Sequence, residues 1–296
     1  MEEGHPSETA LLAAMTRATH LFQDSEPKVL RDDLALQLSG FENETALQHA
    51  VKALLTEVAH HFGMEFAQRL SQYSRALMTM RNRYAEDELS NAIEHGVGQY
   101  VILGAGLDSF AYRRRDLVEV LRVFEVDHPA TQQWKRARLR TLSVPLPTHL
   151  TFIPINFEQQ TLKEGLQTGG YKADAPVFFS WLGVTYYLTE EAIFETLRSV
   201  ATAAPGTEIV FEYGLPGSLL DEESRRVWAT LQATVAARGE PMLSMFEPTT
   251  LAARVKDLGF SQVWDFGPEE ANARYFTGRT DGLHAPPYAH LMRARV

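Results

Sequence analysis

Residues 99–128 read QYVILGAGLDSFAYRRRDLVEVLRVFEVDH. Tyr100-Val101-Ile102-Leu103 is a short apolar run of the kind that forms a buried parallel strand. Gly104-Ala105-Gly106-Leu107-Asp108 follows as a tight glycine turn, then a helical segment. Val123-Phe124-Glu125-Val126 is a second apolar run, closed by Asp127. Strand, glycine turn, helix, strand and acid form the first half of a nucleotide-binding βαβ unit. Glycine lets the backbone approach a ligand where a Cβ would clash. The acid lies about 20 residues beyond the turn, where a carboxylate accepts the two hydroxyls of a ribose. A glycine pair also serves purely steric ends in many strand-to-helix turns, so the acid is what gives the stretch its meaning.

The turn also selects among ribose-bearing ligands. A dinucleotide fingerprint places a third Gly or Ala at the helix start, with a pyrophosphate on the helix N-terminus. Here that position is Ser109, preceded by Asp108. A carboxylate there repels a pyrophosphate. It accommodates S-adenosylmethionine, which carries an ammonium and a sulfonium. The turn therefore leans toward S-adenosylmethionine and away from NAD.

Leu103-Gly104-Ala105-Gly106-Leu107-Asp108, with Tyr112-Arg113 and then Phe124-Glu125-Val126-Asp127-His128-Pro129, resembles the leucine carboxyl methyltransferase family. It is closest in pattern to the bacterial branch of S-adenosylmethionine-dependent O-methyltransferases, some of which act in polyketide biosynthesis. The resemblance implies a cofactor site on Gly104, Ala105, Gly106, Asp127 and His128. It also implies that Arg81, in Arg81-Asn82-Arg83-Tyr84, binds the cofactor carboxylate, for which a guanidinium fork is suited. Asn156-Phe157, after the third strand, fall where the family places an acid and an apolar residue against the adenine. The amide oxygen of Asn156 still accepts from an exocyclic amine. Ser180 and Trp181 border the cleft at the end of the fourth strand. The glutamate that some members carry before the next glycine is Leu182 here, so that role does not transfer. Residues 272–283 also resemble the bacterial branch. Arg17 is a weaker candidate for a contact from the lid and is expected not to make one.

Composition bounds the function further. The chain has 296 residues, 45% hydrophobic and 22% charged, an ordinary globular balance. Its 28 Lys and Arg against 38 Asp and Glu give a net charge of −10, which argues against a nucleic-acid backbone as partner. Arg113-Arg114-Arg115 reads as a solvated helix face. No apolar run approaches the roughly 18 residues of a membrane span. The acidic opening MEEGHPSETA is not expected to be a signal peptide. With no cysteine, disulfides, thiolate metal sites and a cysteine nucleophile are excluded, in keeping with a cytoplasmic setting. No G-x-S-x-G, Walker or H-E-x-x-H motif occurs, and the adjacent His60-His61 make a poor metal pair on a helix.

In chain order, residues 1–95 read as a helical cap or lid, with Gly63 as a stop between two helices. Residues 96–296 read as the core. Trp134, Ala137 and Leu139 are expected to bury the helix after Pro129. Leu150–Ile155, Pro176–Trp181 and Thr207–Tyr213 read as the third to fifth strands. A helical insertion is expected at about 215–242. Phe260–Phe266 and Tyr288–Val296 read as strands with no helix-length pattern between them, so they pair antiparallel. That hairpin belongs to the methyltransferase sheet and not to a dinucleotide dehydrogenase. The expected fold is α/β, a Rossmann-like class I methyltransferase with a mostly parallel seven-stranded sheet and an N-terminal helical cap.

The expected activity is methyl transfer from S-adenosyl-L-methionine to a carboxylate or hydroxyl of a small molecule. An NAD(P)-dependent oxidoreductase and a non-catalytic binding module are the rivals. A carboxylate acceptor needs no general base. For a hydroxyl acceptor, His128, Tyr187, Glu212 and Tyr213 are the nearby candidates.

Overall fold

The computed structural model describes residues 7–155 and 160–296. Four helices precede the first strand: α1 (Glu8–Gln23), α2 (Ala35–Leu38), α3 (Glu44–Phe62) and α4 (Met64–Glu94). Ser7 and Asn43 cap α1 and α3 by accepting from Ala10 N and Ala46 N. Gly63, at φ 91°, breaks the chain between α3 and α4, a conformation that costs glycine little. At 31 residues, α4 spans roughly 46 Å at 1.5 Å per residue. It buries Tyr73, Ala76, Leu77, Met80, Tyr84, Leu89 and Ala92 against the sheet and cap.

The core then alternates strands and helices. β1 (Gln99–Leu103) leads through a short α5 (Phe110–Arg113) to β2 (Arg122–Asp127) and α6 (Pro129–Thr141). β3 (Leu150–Pro154), α7 (Leu162–Thr168), β4 (Phe178–Trp181), α8 (Glu190–Ala201) and β5 (Glu208–Gly214) follow. α9 (Glu222–Ala236) and α10 (Pro248–Asp257) precede β6 (Gln262–Phe266), α11 (Pro268–Ala271) and β7 (Ala289–Arg295). The seven strands pair in the order β3-β2-β1-β4-β5-β7-β6. The first five are parallel. β7 inserts antiparallel between β5 and β6, as the hairpin pattern predicts. The full burial of β1 and β5 reflects a sheet covered on both faces.

Three local expectations are corrected. The helix after the glycine turn is only α5, continued by a 3-10 turn at Arg115–Leu117. The segment between β6 and β7 is not helix-free: α11 runs into a π-helical turn, Asn272–Phe276, too short to carry a parallel crossover. The buried face of α6 is Thr131, Gln132, Lys135 and Leu139, with Ala137 exposed, because Lys135 has a buried partner on β2.

The cap is fastened to the core by charge. Arg17, 4% exposed, donates from Nε to Asp32 Oδ2 at 2.8 Å and from Nη2 to Leu107 O at 2.7 Å. The contact expected not to form is therefore made, and it lands on the glycine turn. Arg113, just past that turn, reaches Asp32 at 3.7 Å and also pairs with Glu86 on α4. His20 and Arg75 hold Asp24 at 2.8 and 3.0 Å, tying the end of α1 to α4. Burial pushes the Asp32 carboxyl up, but the Arg17 and Arg113 guanidiniums more than offset it and leave it below the usual range. A depressed carboxyl stabilises the fold above its unfolded pKa and loses that contribution as pH falls through its folded value.

Asp32→Asn should therefore loosen the cap at neutral pH as acid does in the wild type. Breaking a buried pair costs about 3 kcal/mol, so amide exchange in α1 should speed up on the order of 100-fold. Exchange in β1 and β2 should stay as it was. Unchanged α1 rates would remove the pair from the account of cap docking.

Candidate functional site

The carboxyl ends of β2, β1, β4 and β5 lie side by side, and the strand order reverses between β1 and β4. Ligands of open parallel sheets bind at such a point. The residues of interest emerge there.

The glycine turn leaves β1 with Gly104 at φ 65° and Gly106 at φ 48°, left-handed values that suit glycine. Ala105 N donates to Val126 O at 3.0 Å. Gly106 N donates to Asp127 Oδ2, and His128 N to Asp127 Oδ1 at 2.6 Å. The acid is thus fixed by two amides, with lone pairs remaining on each oxygen. Burial pushes the Asp127 carboxyl up, while the amides, Lys135 and His128 pull against it. His128 caps α6, its Nδ1 accepting from Ala130 N at 3.3 Å. Asp108 turns back to accept from Phe110 N at 2.7 Å and from Asn82 Nδ2, on α4, at 3.1 Å.

Arg81 arrives from α4, 7% exposed. Its Nη1 donates to Glu212 Oε2 at 2.8 Å, and Gly183 N donates to the same oxygen at 2.8 Å. Tyr186 OH reaches Glu212 Oε1 at 3.4 Å. Thr185 Oγ1 donates to Glu212 O. Burial pulls the guanidinium down, and the Glu212 carboxylate more than offsets it, so Arg81 stays cationic. Gly183, at φ 73°, has no room for a side chain: a Cβ would lie 2.8 Å from Arg81 Nη1.

The remaining expected residues divide. Ser180 is buried and shares a hydrogen bond with Tyr100 OH at 2.8 Å. Trp181 is buried in the core. Tyr187 is partly buried, beside Thr9 and Glu240, where burial pushes its phenol up. Tyr213 follows Glu212 on β5 and so points to the opposite face of the sheet. Its hydroxyl donates to Asp265 at 2.6 Å, and His290 reaches Asp265 at 2.9 Å. Asn156 and Phe157 lie outside the described residues. The structure thus brings Arg81, Gly104, Gly106, Asp127, His128 and Glu212 to neighbouring strand ends and turns Tyr213 away. Among the described residues no group of His, Cys, Asp and Glu is arranged to hold a metal ion.

Sequence reasoning missed Gly183 and Asn82, and it cast Glu212 as a base and not as the partner of Arg81. A glycine directly after a strand was the available signal for Gly183. Nothing local marks the pairing of residues 81 and 212.

These residues fit S-adenosylmethionine. Arg81 Nε is buried and has no hydrogen-bond partner among the described residues, a donor available to a carboxylate. At its two glycines the turn is closely packed by other parts of the chain. A Cβ at Gly104 would lie 2.5 Å from Val184 Cγ2, and one at Gly106 would lie 3.3 Å from Ala10 Cβ. Asp127 retains lone pairs that could accept ribose hydroxyls, and Asp108 puts a carboxylate on the turn.

Comparison with known proteins agrees with this geometry. A family model described as leucine carboxyl methyltransferase matches residues 10–201. A Bacillus subtilis protein with the provisional name S-adenosyl-L-methionine-dependent methyltransferase YktD is 32% identical over 307 aligned positions, covering 99% of each chain. Among solved structures, a DUF574 family protein from Streptomyces avermitilis superposes with a TM-score of 0.54 at 15% identity, covering 99% of this chain and 98% of that one. A provisionally named methyltransferase from Thermobifida fusca gives 0.53 at 16% identity, over 88% and 91%. The structural likeness carries the fold.

Gly183→Ala should displace Arg81, since the backbone there is strained for any side chain and the new Cβ meets the guanidinium. A cost of about 1–3 kcal/mol is expected in stability. Chemical denaturation should show it as a lower midpoint. Equal stability of Gly183→Ala and wild type would mean that the turn yields freely.

Proposed function

Because the chain belongs to the leucine carboxyl methyltransferase family, we propose that it methylates an oxygen of a small molecule, with a carboxylate the best-supported acceptor. The chain is an S-adenosyl-L-methionine-dependent methyltransferase; the acceptor and the roles of single residues are the proposed part. The observation that carries the reading is the buried Arg81 guanidinium, held by Glu212 at the end of β5, with an Nε that has no hydrogen-bond partner among the described residues. In this reading Arg81 binds the methionine carboxylate. Asp127 accepts the ribose hydroxyls. Gly104 to Gly106 let the backbone lie against the cofactor, with Asp108 near the ammonium.

When bound, the cofactor supplies an electrophilic methyl group on a cationic sulfur. The chain's own task is orientation and exclusion of water, which can carry much of the rate of a displacement. Ala10 of α1 and Val184 pack over the turn and serve the second purpose. Proton removal is a separate matter. Glu212 already accepts from a guanidinium, an amide and a phenol, so its oxygens are engaged within the protein. Tyr213 lies across the sheet. Tyr186 and Tyr187 are pushed up by burial, so neither is a phenolate at neutral pH. These observations favour an acceptor that is already ionised, and carboxylates are. The lack of cysteine supports a cytoplasmic setting, and among the described residues no helix is long and apolar enough to cross a membrane.

Thermal unfolding with S-adenosylhomocysteine, S-adenosylmethionine, NADH and NADPH tests the cofactor assignment. A ligand at about 100 times its dissociation constant adds roughly 2.7 kcal/mol. The adenosyl-sulfur ligands should raise Tm by a few degrees, and Arg81→Ala and Asp127→Ala should each abolish the shift. A shift with the nicotinamides alone would overturn it.

Methyl transfer to a panel of aromatic and aliphatic acids and phenols tests the acceptor. Transfer to a carboxylate should be flat with pH above about 6, since the acceptor is already ionised. Transfer only to phenols, rising with pH, would replace the carboxylate reading with one that uses a base.

A further inference from the structure

Beneath Asp127 the structure buries a second set of charges that the reading above does not use. Glu125 precedes Asp127 by two residues on β2, so both side chains leave the same face of the strand. Glu125 and Lys135 of α6 are both 0% exposed, and Lys135 Nζ lies 2.6 Å from Glu125 Oε2. The same ammonium sits over the Tyr112 ring, 5.6 Å from its centroid. Gln132, one helical turn earlier, donates from Nε2 to Glu125 O at 2.7 Å. Residues 132 and 135 therefore clamp α6 to β2 just behind its N-terminus, where His128 caps the helix and donates its amide to Asp127.

The cluster is costly for a purely structural device. Apolar residues of similar volume often replace a buried ion pair without loss of stability. Here two further polar atoms, Glu125 Oε1 and Tyr112 OH, are buried without partners among the described residues. The placement beside the ribose acid supplies another reason for it. We propose that Lys135 is a positioning residue for cofactor binding: its buried ammonium, held by Glu125 and Tyr112, holds α6 in place beneath Asp127 and supplies positive charge on that acid's side of the strand. This rests on the reading of Asp127 as the acceptor of the ribose hydroxyls.

The charges that face this cluster come from every element around it. Asp108 of the glycine turn and Glu125 are acids. Lys135, His128 and Arg136 are the bases, and Tyr112 is buried phenol. Burial pushes Asp127 up, and Lys135 is among the groups that pull it down. Burial pushes Glu125 up to about 7. Below neutral pH Glu125 therefore takes up a proton, and the field of the ammonium on Asp127 is no longer opposed by its partner. Binding that needs an ionised Asp127 is present above its pKa and lost as pH falls through it. Removing the ammonium raises that pKa and moves the loss to higher pH. Removing the Glu125 charge does not.

Calorimetric titration of the full chain with S-adenosylhomocysteine, from acid to neutral pH, tests this. Lys135→Met should shift the acid limb of binding upward by about one pH unit, which is about tenfold in affinity on the limb. Glu125→Gln should show no upward shift. The double variant Glu125→Gln/Lys135→Met carries no unpaired buried charge, so it guards against a misfolded single variant, and it should shift as Lys135→Met does. A limb unmoved in the double variant, or moved up equally in Glu125→Gln, overturns the role of Lys135. Asp127→Asn should bind weakly at all pH values. If it instead keeps the wild-type affinity and limb, the reading of Asp127 itself falls, and the role of Lys135 with it.

Discussion

The site depends on one buried contact, the 2.8 Å pair between Arg81 and Glu212. It joins residues far apart in the chain and fastens the long helix α4 to the end of β5. A buried guanidinium is tolerated only where it is paired and hydrogen-bonded, and the surroundings are arranged to that end. Glu212 also takes the amide of Gly183, which draws the segment after β4 against the pair. Gly183 has no Cβ because the guanidinium occupies that space. The carboxylate orients Arg81, and Nε has no partner among the described residues. A cationic donor held rigidly between the ends of β4 and β5 results, without the mobility of a surface arginine.

α4 carries more than this one residue. Along one helix, Arg75 meets Asp24 of the cap, Asn82 meets Asp108 of the turn, Glu86 meets Arg113, and Glu88 meets Arg274 and Arg293 near the terminal strands. Cap, cofactor turn and the antiparallel end of the sheet are therefore referenced to a common rod. Displacing α4 would disturb all three together, which is a physical reason for a helix longer than the fold itself requires.

What was legible in the sequence was what is local. The glycine turn, the acid at the end of β2, the stop at Gly63 and the antiparallel terminal strands follow from spacing and periodicity within short windows. Family membership was legible in the same stretches. What escaped was settled by partners distant in sequence. Lys135 looks solvated when only its helix is read; Glu125, a single charge in an apolar strand, gives it a buried partner. Arg17 likewise gives no local sign that Leu107 and Asp32 will receive it. Tyr213 and Glu212 are neighbours in sequence, yet the alternation of β5 sends them to opposite faces, so listing both as candidate bases ignored the period of the strand that held them.

The glycine turn receives contacts from both sides of the reaction. Arg17 of the cap donates to Leu107 O, inside the turn, and Ala10 lies against Gly106. Asp127 holds the same turn through Gly106 N. A cofactor bound at Asp127, as proposed, and the cap would therefore act on one five-residue segment. A cofactor that ordered the turn through Asp127 would also fix the carbonyl that Arg17 grips, and a docked cap would fix the amide that Asp127 grips. Coupling of that kind is reciprocal by necessity. It places the exclusion of water and the binding of the methyl donor under one constraint, which suits a reaction in which alignment and dryness are most of what the protein provides.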